Sequence, residues 1–290
     1  MKLRLKKEHR PIILILLFAL ALRIIFFTGI NFNDDLTYTN FAHDVVEGKF
    51  SPHPYIFATR LMMIYPIALL FFLFGISDFT VSIYILLTSL GSVLLTYLIG
   101  KELFNIRTGL VAAFLIALLP LEIIYATTIV PDVPLALYLG LSMYLFIKGS
   151  KNNKNILYYL SGIAIGLAWL VKTIALAYCL VLIAIFIKEI LIDKKKVTKA
   201  IKPYLLVLLG LLTILALEGL LYLSYGYSMF TVFNVNNELY TPTVLGINKE
   251  LSYYPHQLFN YNIDKYFHYL GFYFIFAIIS IILVVKRMQK

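Results

Sequence analysis

Five charged side chains stand where chemistry could be done. Asp34 and Asp35 lie side by side in Asn33-Asp34-Asp35-Leu36-Thr37-Tyr38, shortly after an apolar run. Asp132 sits between two prolines in Val130-Pro131-Asp132-Val133-Pro134, Arg60 heads the apolar run that follows it, and Lys172 interrupts the apolar stretch 156–192. Close carboxylates repel, and such a pair can take up a proton or hold a cation. Two cations on the same side of a membrane can bind the phosphate of a lipid headgroup. A carboxylate can deprotonate a hydroxyl that attacks a sugar's anomeric carbon. The departing lipid phosphate then gains negative charge, which the cations stabilise. Each residue also has a plain structural use. Acids suit the first turn of a helix, where the dipole favours them, and an isolated lysine can reach to the headgroups from an apolar helix.

These residues must be positioned by membrane helices. The chain has 290 residues, is 61% hydrophobic and has a mean hydropathy of +0.87. Its net charge of +10 could suggest a nucleic-acid partner, but the basic residues cluster between apolar runs. That placement is a topology signal and excludes nucleic acid. The runs are roughly 12–28, 61–76, 81–99, 109–128, 131–147, 156–171, 173–190, 204–225 and 269–285. The first has no small-residue cleavage site close behind it and reads as an anchor. Cys179 is the single cysteine, which rules out an internal disulfide and argues against a thiolate metal site.

The positive-inside rule fixes the threading. Lys2, Arg4, Lys6, Lys7 and Arg10 place the N-terminus in the cytoplasm. Strict alternation of every run would put Lys101, Arg107 and Lys194-Lys195-Lys196 outside. Removing 61–76 repairs every later loop. That run starts at Arg60, contains Pro66 and ends at Gly75, so it is expected as a helix on the outer surface. The expected fold is all-α: one polytopic transmembrane domain over 1–290, with about eight spans, each able to cross roughly 30 Å of hydrocarbon. Both termini are cytoplasmic. A first outer loop at 29–78 carries the surface helix 61–76, and a second outer loop covers 226–268. Tyr38, Tyr253, Tyr254 and His256 are candidate sugar or lipid contacts, since such side chains stack on and hydrogen-bond sugars. Glu122 and Glu218 lie inside spans and are expected to bond to neighbouring helices, with a place in the lining of the pocket as the alternative.

The same residues carry a family resemblance. Asp34-Asp35-Leu36-Thr37-Tyr38, with Ala42 and Gly48 following, resembles the acidic pair of the first outer loop in the GT-C membrane glycosyltransferases. The branch is that of the dolichyl-phosphate-mannose protein mannosyltransferases and bacterial aminoarabinose transferases. Phe72-Leu73-Phe74-Gly75-Ile76-Ser77, Tyr97-Leu98-Ile99-Gly100-Lys101-Glu102-Leu103-Phe104, Pro131-Asp132 and Gly166-Leu167-Ala168-Trp169-Leu170-Val171-Lys172 continue it in order. The resemblance implies a GT-C-like fold that transfers a sugar, with inversion, from a polyprenyl-phosphate donor to a hydroxyl of a glycan, lipid or protein acceptor. The reaction would lie on the outer face of the plasma membrane. It implies Asp34 as catalytic base, Asp35 as second acid, Asp132 on the acceptor or sugar side, and Arg60 and Lys172 on the donor phosphate. The family usually has Glu where this chain has Asp35. No cofactor is demanded, and a divalent metal is left open. A transporter or flippase, or a non-catalytic lipid-phosphate-binding subunit, would use the same charges for binding alone. A transporter should show internal repeats, and none is found. A reporter fused after Ser77 is expected to read out on the outer side, and a cytoplasmic signal there overturns the threading.

Overall fold

The computed structural model describes residues 10–30, 34–194 and 196–239. These form helices and turns, with no strand among the described residues. The chain divides into two compact units, Met1–Asn236 and Asn237–Lys290. All the described helices but the end of the last belong to the first unit. They are α1 (Arg10–Ile25), α2 (Asp34–Val46), α3 (Leu61–Phe74), α4 (Asp78–Leu103), α5 (Ile106–Leu118), α6 (Pro120–Tyr125), α7 (Asp132–Asn152), α8 (Asn155–Val171), α9 (Cys179–Leu191), α10 (Val197–Ser224) and α11 (Thr231–Leu239). A 3-10 segment, Thr173–Tyr178, joins α8 to α9.

Among the described residues, four helical segments are long and apolar enough to cross a membrane: Asp78–Leu103, Asp132–Asn152, Thr173–Leu191 and Ala200–Ser224. Leu61–Phe74, Ile106–Leu118 and Asn155–Val171 are apolar but shorter. The expected run 269–285, and with it Tyr253, Tyr254 and His256, lies outside the described residues.

Two elements depart from the expected runs, each for a local reason. The segment expected as the first outer loop contains a helix, α2, that hydropathy does not flag. Its first turn holds Asp34 and Asp35, where the helix dipole favours acids. Asp35, Tyr38 and Ala42 form its buried stripe at helical spacing. The run 109–128 is not one helix, because Pro120 cannot donate a backbone hydrogen bond. It splits into α5 and α6.

A buried arginine fills the split. Arg23 is fully buried; its Nη1 donates to the Ala117 carbonyl at the end of α5, 3.4 Å away, and to the Ala19 carbonyl at 3.1 Å. Its Nε donates to Ser89 Oγ at 2.8 Å, and Ser89 passes a hydrogen bond to Glu122 Oε1 at 2.8 Å. The relay ties α1, α4, α5 and α6 at one level, and these hydrogen bonds offset part of the cost of burying the cation, whose Nη2 has no hydrogen-bond partner among the described residues.

Among the described residues, the tightest glycine contacts join α8 and α10. A Cβ added at Gly162 would lie 1.9 Å from the Val207 carbonyl oxygen, and one added at Gly210 would lie 2.1 Å from the Tyr159 carbonyl oxygen. Farther along, Gly166 faces Ile214, so the two helices run parallel in fixed register. Small residues permit such contact in apolar surroundings, where dispersion supplies the attraction. Ser142 and Ser161 bond at 2.9 Å and hold α7 to α8. Gly162→Leu is expected to force the helices apart and cost at least about 2 kcal/mol. A fall in the thermal unfolding midpoint of the purified protein measures it, whereas Gly140→Ala, whose added Cβ would meet nothing closer than 3.6 Å, should leave the midpoint near the parent's.

Candidate active site

One buried apolar cluster adjoins every candidate site residue in the described structure. It contains Tyr38, Met63, Ile64, Val133 and Val171. Tyr38 follows the acidic pair by one helical turn, Met63 and Ile64 follow Arg60, Val133 follows Asp132, and Val171 precedes Lys172. The cluster therefore anchors α2, α3, α7 and the end of α8 together, and leaves the polar residues at its margin.

The acidic pair is divided by burial. Asp34 is exposed, whereas Asp35 retains only 3% exposure and is engaged by neighbouring groups. Adjacent helical positions point about 100° apart, so one carboxylate faces solvent and the other the interior.

Arg60 is held by an aromatic setting. It stands just before α3 with its side chain half-buried. Its Nη1 donates to the Tyr38 hydroxyl, and its guanidinium lies 5.2 Å from the Phe57 ring centroid. Such stacking suits arginine and leaves other N–H groups for an anion. Tyr38 itself is fully buried, so its hydroxyl serves Arg60. Burial pushes the Tyr38 hydroxyl up to about 12, opposed by Arg60 and reinforced by the negative charges of Asp34 and Asp132. Both acids thus lie within electrostatic reach of the same hydroxyl.

Lys172 occupies the break expected from its place between two apolar half-runs. Its φ of −160° and ψ of 126° are extended, which ends α8. Its backbone N–H still bonds to the Ala168 carbonyl at 3.0 Å, and its carbonyl accepts from Ala175 N at 3.0 Å. The break therefore leaves neither backbone group of Lys172 without a partner. Nζ reaches Asp132 Oδ1 at 2.8 Å, with the two side chains 34% and 60% exposed. A pair this open is worth no more than about 1 kcal/mol and can exchange partners.

Sequence reasoning missed the residues that brace this margin. Thr28 bonds to Thr127 through its backbone N–H at 3.1 Å and its hydroxyl at 2.9 Å, and to Thr128 at 3.0 Å. Ser82 donates to the Thr127 carbonyl at 2.8 Å. These bonds fix the segment that leads into Asp132. The adjacent threonines before Pro131 were the only sign of it. Glu122 accepts from Ser89, and Glu218 accepts from the Trp169 indole at 2.6 Å, so both acids bond to neighbouring helices as expected.

Among the described residues, the side chains close enough to share a metal ion are His43, Asp44 and Glu47, at the far end of α2 from the acidic pair. Glu47 is already paired with Lys49 at 2.6 Å and His43 at 3.3 Å. Asp34 and Asp132 are not in that group.

A family model described as dolichyl-phosphate-mannose-protein mannosyltransferase matches residues 53–217. The match includes Arg60, Asp132 and Lys172 and begins after the acidic pair. No curated protein matches the chain.

The setting of Tyr38 predicts a pH effect. Unfolded tyrosine ionises near 10.0, whereas folded Tyr38 keeps its proton to about 12. The folded state therefore binds more protons in that interval, and stability falls as pH rises through it. Below pH 10 the contribution is fully present. Tyr38→Phe is expected to remove this part of the slope, which chemical denaturation of parent and variant between pH 9 and 12 would measure.

Proposed function

The chain belongs to the dolichyl-phosphate-mannose-protein mannosyltransferase family, and on that premise we propose that it transfers a sugar from a polyprenyl-phosphate donor to an acceptor hydroxyl at the outer face of the plasma membrane, with inversion. Membership makes the chain a membrane glycosyltransferase with a lipid-linked donor. The finer reading rests on one observation: Asp34, Arg60, Asp132 and Lys172 stand beside residues of one buried cluster.

The steps follow from the exposure and charge of each side chain. Asp34 is exposed at the start of α2 and takes the proton from the acceptor hydroxyl. The acceptor oxygen forms its bond to the anomeric carbon as the bond from that carbon to the phosphate oxygen breaks. The electron pair leaves with the lipid phosphate. Arg60 and Lys172 bind this phosphate and stabilise the charge that grows on it. Lys172 exchanges its Asp132 partner for the phosphate, at little cost because that ion pair is solvent-exposed. Asp132, once released, faces the sugar or the acceptor. Asp35 stays buried and supports Asp34 from the interior side. Tyr38 orients Arg60 and so acts on the donor indirectly.

The sidedness rests on the charge placement of the loops, with α3 as the outer-surface helix. Its buried face carries Leu61, Met63, Ile64, Ile67 and Phe71, and its exposed face carries Leu69, Phe72, Leu73 and Phe74, apolar side chains suited to lipid. The acceptor is a hydroxyl of a glycan, lipid or protein.

Asp34→Asn is expected to lower the turnover rate with a polyprenyl-phosphate sugar by about 10²–10⁴-fold, the usual share of a general base. Binding of the donor should stay near the parent's. Full activity in that variant overturns the assignment.

A further inference from the structure

The seam between α8 and α10 contains a polar contact that the mechanism above does not use. Trp169 Nε1 donates to Glu218 Oε2 at 2.6 Å, with the two residues only 4% and 7% exposed. The other oxygen, Glu218 Oε1, is buried without a hydrogen-bond partner among the described residues. A carboxyl group in an apolar interior is costly unless it is bonded. The indole N–H is the partner Glu218 has, so the contact is one that neither helix gives up cheaply.

The position of Trp169 gives this contact its reach. It lies three residues before Lys172, one turn from the point where α8 stops. The backbone N–H of Lys172 bonds to the Ala168 carbonyl at 3.0 Å, so the last turn of α8 is closed as one piece. The end of a helix otherwise frays, because its last carbonyls lack partners within the helix. Phe233 of α11 packs against the Trp169 ring at 4.8 Å and limits its rotation from another side. The register that sets Gly166 against Ile214 carries Trp169 to Glu218 one turn farther along.

We propose that Glu218 is a positioning residue for Lys172. By holding the Trp169 indole it fixes the last turn of α8, and hence the point from which the lysine side chain sets out toward the donor phosphate. Recognition of the phosphate then depends on α10, an element that contributes no side chain to the site itself. This inference rests on the reading of Lys172 as a phosphate ligand.

The test uses the full chain in detergent and a polyprenyl phosphate as probe, with the dissociation constant as readout. Glu218→Leu is expected to weaken binding about tenfold, the scale of one charged hydrogen bond lost at the phosphate. Glu218→Gln keeps an oxygen that accepts from the indole and should stay within about twofold of the parent. In a Lys172→Ala background, Glu218→Leu should add less than about twofold, because the two residues act through one contact. Should Glu218→Leu fail to fold, Trp169→Phe keeps an aromatic ring, removes the N–H and should show the same pattern. Parent-like binding by Glu218→Leu overturns the proposal, as does an effect that persists in full without Lys172. If Lys172→Ala alone binds like the parent, the phosphate-site reading falls and this inference falls with it; if Lys172→Ala weakens binding and Glu218→Leu does not, only this inference falls.

Discussion

Inside hydrocarbon every backbone N–H and C=O needs a partner from the protein itself, so a helix may stop there only where something else meets its end. Two stops among the described residues find partners for their freed carbonyls in different ways. At Pro120 the helix breaks and a buried guanidinium from α1 reaches the Ala117 carbonyl. At Lys172 the helix breaks and the chain tightens into a 3-10 segment whose Ala175 N–H takes up the Lys172 carbonyl. The second break presents a cation at the end of α8. The first separates α6 from α5, and the Thr127–Thr128 segment that follows α6 leads into Asp132. The site thus owes two of its charges to places where regular structure ends.

The acidic pair illustrates how burial divides roles between like residues. Asp34 and Asp35 share a helical turn and an identical side chain, yet one is exposed and the other nearly closed off. The usual Glu at the second position would carry one more methylene into that interior place.

The apolar runs were legible because helices facing lipid need length and hydropathy, and α1, α3, α4, α7, α8, α9 and α10 fall on them. The break at Lys172 was legible because a lone ammonium splits an otherwise continuous run. The helix α2 was not, since it is short and polar on one side, and its stripe of Asp35, Tyr38 and Ala42 is too sparse for a hydropathy signal. The partner of Glu218 was not legible either. Nothing along α10 says that Trp169 lies opposite; that follows from the glycine contact at Gly162 and Gly210, which sets register only in three dimensions.

That α8 and α10 run parallel, with the returning α9 between them in sequence, has a consequence for assembly. The chain is made from its N-terminus, so Asp132 exists before Lys172, and Lys172 before Glu218. The lysine follows the last residue of α8, at the open end of the α7–α8 hairpin, and meets the carboxylate already waiting 40 residues behind it. The indole stays without its acceptor until the chain has grown 49 residues past it. The ion pair at the rim thus belongs to the early hairpin, and the tryptophan bond beneath it is sealed only when the last long described helix arrives.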